Sequence, residues 1–164
     1  MTNIELKNDL LNLPQLQLQV DTIVFDYIDS TQNWSKAYAQ LEDLLQKVVQ
    51  NFNGYIARNE GELPKASTYW ILFMDIAAKL LYFTGLAKFH LIDAGDQEAS
   101  VQVFELYKAS AGCLPNALLE ENEEFLSEIQ KSMEQLTNQP TEIVTSEKTV
   151  TCIETFYALS KTFK

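Results

Sequence analysis

The sequence predicts an all-α protein, a compact bundle of about five to six helices around an apolar central helix at about 66–93. Two observations predict it. Trp34, Tyr38, Leu41, Leu45, Val48 and Phe52 follow one another at spacings of four and three. That pattern puts them on one stripe of a helix packed against other helices. From Tyr69 to Ile92 the chain is nearly continuous in apolar residues, as expected of a helix enclosed on most sides.

Taken in order, residues 3–12 read as a short helix that stops before Pro14, because the residue before a proline avoids helical geometry. Residues 15–20 alternate Gln and Leu or Val like a half-buried strand, with 141–145 as the only stretch to pair with. Yet Leu16, Val20, Ile23, Val24, Tyr27 and Ile28 share one helical face, and the longer pattern favours a helix over about 15–28. The next helix is capped by Ser30 or Thr31 and stops at Asn53-Gly54, where glycine tolerates the left-handed conformation. Residues 59–65, with Gly61 and Pro64, form a loop.

In the central helix the polar residues are not scattered. Asp75, Lys79, Tyr82, Leu86, His90 and Asp93 advance by fours and threes and so share a narrow face. Ala78 and Gly85, seven apart, offer a place where a neighbouring helix can come close. Lys88 lies on the apolar side, where its stem can snorkel. Asp96 caps a fourth helix over about 97–111, with Val101, Phe104 and Tyr107 among its buried positions; Gly112 and Pro115 end it. A fifth helix, about 116–137, starts at Asn116 with Glu120 and Glu121 near its first turn. Its apolar stripe is Leu118, Phe125, Ile129, Met133 and Leu136. Residues 138–141 form a loop, and a last helix covers 146–162 from a Ser146 cap.

The length of 164 residues suits one domain, 1–164. Nine Phe, seven Tyr and two Trp supply the bulk of its core. Charge is the unusual feature. Twelve basic residues face 23 acidic ones, a net charge of −11, and Arg58 is the only arginine. Nucleic-acid binding needs clustered cations to displace phosphate counterions, so it is not expected. An anionic membrane surface is disfavoured for the same reason, whereas a basic surface on another protein is attracted.

The segment from Tyr69 to Ile92 is long enough to span a bilayer. Asp75 and Lys79 would then sit near the bilayer centre at a cost of roughly 2.5–3.5 kcal/mol each, so a buried core helix is the better account. Met1 to Glu5 shows no basic segment leading into an apolar run, and no signal peptide is expected. A cytoplasmic location follows as the expectation. Cys113 and Cys152 are too far apart in sequence to suggest a disulfide framework and read as reduced, partly buried residues.

His90 is the only histidine. This excludes a metalloprotease HExxH pair and the paired Glu-x-x-His motifs of di-iron bundles. It leaves zinc without any short ligand spacing. The glycines form neither a Walker loop nor a GxGxxG, and no GxSxG elbow occurs. No catalytic, metal-binding or cofactor-binding residue is assigned.

Two constellations remain. Asp75, Lys79, Tyr82 and His90 form a polar stripe that can be an ordinary solvated edge or the wall of a pocket that orients a small apolar ligand. Asp75 before Lys79 is the favourable order for an ion pair. Glu120, Glu121, Glu123, Glu124 and Glu128 concentrate negative charge on one segment. Such a run is either a solvated face or a docking face that gains association rate through electrostatic steering.

One short resemblance is present. Gly95-Asp96-Gln97-Glu98-Ala99, followed by Phe104, Tyr107, Ala109 and Pro115-Asn116-Ala117, resembles the second helix of a tetratricopeptide repeat. It covers about twenty residues, its Ala109–Pro115 spacing is off by one, and no second copy follows at the period of about 34 residues. The resemblance implies peptide binding in a helical groove.

The function expected from these features is non-enzymatic. It is a protein-interaction module, an inhibitor, immunity protein or chaperone-like adaptor, that meets a basic partner through its acidic helical surface. Trp34 and Tyr55 are expected among the exposed contact aromatics. The alternative is a helix-bundle pocket beside the Asp75–His90 stripe.

Overall fold

The computed structural model describes residues 11–58, 68–92, 95–114 and 120–137, and these form an all-α bundle. The helices are α1 (Leu13–Ile23), α2 (Trp34–Arg58), α3 (Thr68–Phe89), α4 (Gln97–Cys113) and α5 (Glu123–Thr137). A π-helical turn, Val24–Asp29, extends α1. Of the expected helix at 3–12 only Leu11 and Asn12 are described, and they are not helical; the expected helix at 146–162, the 141–145 stretch, Leu118 and Cys152 lie outside the described residues.

α3 is the axis of the bundle. It packs most extensively on α4, then on α2, and also meets α1; α5 packs against α4. Trp70, Phe73, Met74, Ala77, Ala78, Leu80, Leu81, Tyr82 and Ala87 of α3 are all buried. By length and composition Thr68–Phe89 is apolar enough to cross a membrane, but 67% of its most apolar window is buried within the protein. The core helix of a bundle passes the same length and composition test.

α1 begins where Asn12 accepts a hydrogen bond from the Gln15 N–H at 3.1 Å, a side-chain cap that satisfies one free backbone donor. Pro14 sits in the first turn, where a missing N–H costs nothing. The expected boundary at Pro14 therefore marks the start of a helix. Leu13, Leu16, Val20 and Ile23 are buried. The helix then widens, with the Ser30 N–H reaching the Phe25 carbonyl at 3.0 Å. The five-residue repeat of the π turn carries Ile28 onto the buried face five positions after Ile23, and leaves Phe25 63% exposed.

α2 departs from expectation at both ends. Its cap is Asn33, which accepts from the Lys36 N–H at 3.2 Å. Thr31 instead hydrogen-bonds the Asp26 carbonyl at 3.0 Å, and Gln32 takes a left-handed φ of 48°, so the chain reverses before the helix starts. At the other end α2 runs through Asn53-Gly54 to Arg58. Phe52 and Ile56 on either side are buried. Their burial, worth roughly 1.5–3 kcal/mol each, outweighs the ~1 kcal/mol penalty of a helical glycine.

α3 and α4 meet at the small residues. A Cβ on Gly85 would lie 3.0 Å from Tyr107 Cε1 and 3.1 Å from Leu106 Cβ, so a side chain here would press the two helices apart by a few tenths of an ångström. Two turns away, the Ser110 hydroxyl donates to the Ala78 carbonyl at 2.5 Å. This contact selects Val103, Leu106, Tyr107 and Ser110 as the buried face of α4. It turns Val101 outward, 60% exposed, contrary to its expected burial. Asp96 caps α4 as expected, accepting from the Ala99 N–H at 3.0 Å.

α5 starts at Glu123 rather than at Asn116. Residues 120–122 form a turn, and the Asn122 carbonyl takes the first helical bond, from the Leu126 N–H at 2.9 Å. Glu123 and Glu124, not Glu120 and Glu121, occupy the first turn. There they face the positive end of the helix dipole.

Candidate functional site

Part of the polar stripe of α3 meets α5 and the turn before it. Asp75 accepts a hydrogen bond from the Asn122 side chain at 2.7 Å and pairs with Lys79 at 3.5 Å. One turn further, the Tyr82 hydroxyl meets the Ser132 hydroxyl at 2.9 Å. Tyr82 is 4% exposed, and its ring packs edge-on against Phe125 at 5.3 Å. Burial is the main cause that raises its phenol pKa above the usual 10.0. These polar groups thus satisfy one another across a helix–helix contact. Among the described residues no buried side-chain nitrogen or oxygen lacks a partner.

His90 does not join them. It lies just beyond the end of α3, about 22 Å along the helix from Asp75 at a rise of 1.5 Å per residue. Its ring stacks on Trp34 with centroids 3.8 Å apart and planes 9° from parallel, and meets Phe89 edge-on at 5.3 Å. Burial against these rings lowers its pKa from 6.5. Lys88 reaches α4, donating to Gln102, and passes within 6.0 Å of the Tyr38 ring centre. Trp34 and Tyr55, expected as exposed contacts, are half-buried. Trp34 stacks on one face of His90, which is otherwise exposed, and Tyr55 packs edge-on against Trp70 at 5.1 Å. Each aromatic finds a ring partner within the bundle, worth about 0.5–1.5 kcal/mol beyond its buried area.

Glu120, Glu121, Glu123, Glu124 and Glu128 are all exposed. None of them takes part in an ion pair among the described residues, where the pairs are Asp43–Lys47 and Asp75–Lys79. Their position follows from the same Asn122–Asp75 bond. It fixes the turn at 120–122 on the flank of α3 and points the first turn of α5 outward. The apolar side of α5, Ile129 and Met133, is buried, so the carboxylates occupy the opposite face. The arrangement is a concentrated anionic surface on a rigid element, suited to attracting cations over a distance of about one Debye length, ~8 Å at physiological salt.

One feature lay outside the sequence-based candidates. α1 and α2 enclose an open groove of about 960 Å³ with Leu16, Ile23, Leu44 and Val48 among its lining residues and Gln19 and Gln40 also along it. Leu18, which lines the same groove, is 65% exposed. The signal for it was present. In Gln15 to Val20 the residue Leu18 falls off the helical stripe of Leu16, Val20 and Ile23, and is an apolar residue that the core does not claim.

Cys113 is buried. Among the described residues no three His, Cys, Asp or Glu side chains gather in a way that could hold a metal ion. Compared with known protein families, curated proteins and solved structures, the chain matches none of them.

Proposed function

We propose that this chain is a protein-binding module whose contact surface is the acidic start of α5. The observation that carries the reading is the display of Glu120, Glu121, Glu123, Glu124 and Glu128. All five are exposed on one short segment, without an intramolecular cation among the described residues. Glu124 and Glu128 lie four apart on α5, and like charges at that spacing destabilise a helix by roughly 0.2–0.5 kcal/mol. A basic partner surface relieves that repulsion and is drawn in by the net charge of −11. The polar stripe of α3, the other place where chemistry was expected, has Asp75, Lys79 and Tyr82 engaged by one another, by Asn122 and by Ser132. An inhibitor, immunity or adaptor role in the cytoplasm fits such a surface.

The test is affinity capture from the native host lysate, followed by binding measurements with the isolated partner. Glu120→Lys, Glu121→Lys and Glu124→Lys together should slow association and weaken affinity by at least about tenfold at low salt. Affinity should also fall steeply as salt is raised. Binding that is indifferent to the triple substitution rules the surface out.

A further inference from the structure

We propose that α5 is a detachable element: together with Asn122 it undocks from α3 and α4 as one unit, and redocks, while α1, α2, α3 and α4 stay packed. This property belongs to the fold alone and stands whether or not a partner reads the acidic face. α5 contributes least to the core. Ile129 and Met133 are the two buried residues of its 15, against twelve of 22 in α3 and seven of 17 in α4. The helices left behind do not depend on it. α1, α2 and α4 all pack on α3, and the main contact of α5 is with α4. Elements with few buried apolar groups are the ones that open locally at the least cost.

The fastening of α5 to α3 is polar. Asn122 donates to Asp75 at 2.7 Å, and the Tyr82 and Ser132 hydroxyls meet at 2.9 Å. Water can take both places when α5 leaves, so these bonds set how tightly the helix is held without making its release expose a dry core. The surface left on α3 is partly suited to water. Asp75 and Lys79 remain paired at 3.5 Å on the same helix, and Tyr82 presents a hydroxyl. Lifting α2 would be different. It would uncover Leu41, Leu45, Val48 and Phe52, none more than 1% exposed, and the cost of apolar exposure grows with area. α5 is therefore the helix whose departure costs least. Its opening uncovers the Tyr82 ring, which Phe125 otherwise meets edge-on at 5.3 Å, and its own side chains Ile129 and Met133.

The test is amide hydrogen exchange of the full chain, read residue by residue. Corrected for intrinsic rates, the α5 amides should exchange together, at least about tenfold faster than those around Leu80 and Leu81 of α3. Two variants separate local from global opening. Val48→Ala removes core contacts of α2 that are the same whether α5 is docked or not. It should speed exchange in α3 and leave α5 within about twofold of the unsubstituted chain. Asn122→Ala loosens the docked state itself and should speed exchange in α5 by at least about tenfold. Met133, 3% exposed, gives a second readout. Hydrogen peroxide transfers one oxygen atom to its thioether, leaving the sulfoxide and water, and this requires α5 to open. Met133 oxidation should quicken by at least about tenfold in Asn122→Ala and stay within about twofold in Val48→Ala.

Equal protection of α5 and α3 in the unsubstituted chain overturns the proposal. So does a Val48→Ala variant that speeds α5 and α3 by the same factor, because α5 would then open only when the whole chain unfolds. Protection that falls gradually towards Thr137, with Ile129 as slow as α3, would show fraying of one end and overturn it as well.

Discussion

Asn122, in the turn before α5, donates its side-chain N–H to the Asp75 carboxylate of α3 at 2.7 Å, across 47 residues of sequence. Asn122 is 8% exposed, so its amide has little access to water as a replacement partner. A hydrogen bond to a charged group in such a place contributes about 1.5–3 kcal/mol. Asn122→Ala should therefore destabilise the protein by about 1.5–3 kcal/mol. Asp75→Asn should cost less, because the asparagine carbonyl can still accept the bond. Chemical denaturation of both variants and their double mutant should give a coupling energy above about 0.5 kcal/mol. Additive effects would show that the bond does not secure α5.

Gly85 sets the distance between α3 and α4. A methyl group there would press on Leu106 Cβ at 3.1 Å and on the Tyr107 ring at 3.0 Å. Leu106 Cβ is fixed to the backbone and cannot rotate aside. Overpacking costs about 1–3 kcal/mol, against a gain of about 1 kcal/mol in helix propensity. Gly85→Ala should lower the melting temperature in spite of its better propensity, and Gly85→Val should lower it further. A rise in melting temperature for Gly85→Ala would show that the helices can separate without cost.

His90 reports on the joint between the start of α2 and the end of α3. Its burial against Trp34 holds the pKa below 6.5, so the native state resists the proton that the unfolded state accepts. The corresponding stability is fully present above about pH 6.5 and is lost as pH falls through the native value. As the only histidine, its imidazole protons give an isolated NMR titration, with an expected midpoint below 6.5. His90→Phe keeps a ring on Trp34 and should remove the stability loss just below that pH. A midpoint at or above 6.5 would mean that the stacked ring is no harder to protonate than a free one.

Much of the fold was legible because helices with a strong apolar stripe declare themselves locally. The stripe from Trp34 to Phe52 marked α2, the apolar run around Trp70 to Phe83 marked α3, and Asp96 marked the start of α4. The misplaced boundaries have a common cause. Gly54 is a good stop by its own conformational freedom, but Phe52 and Ile56 on either side of it pack into the core and hold the helix through it. Ser30 and Thr31 are good caps by composition, but the π turn and the left-handed Gln32 shift the start of α2 to Asn33. Asn116 was a plausible start for α5, while the observed start at Glu123 follows a turn anchored on Asp75.

The candidate sites divide in the same way. That Asp75, Lys79, Tyr82 and His90 share a helix face follows from spacing alone. What lies opposite that face does not. Asp75 meets the turn before α5, Tyr82 meets α5 and His90 meets Trp34, while Lys79 pairs with Asp75 on the same helix, so an apparent single stripe serves two separate joints.

By itself the sequence determined the helical class, the buried rank of α3, the acidity of the 120–128 segment and the close approach allowed at Ala78 and Gly85. Each of these depends on residue type and on spacing within about two turns of helix. The tertiary structure decided which polar groups face one another, where α5 begins, and that Leu18 borders an open groove rather than the core. Those outcomes depend on contacts between residues tens of positions apart, where packing and hydrogen bonding to a distant helix override the preference of the local chain.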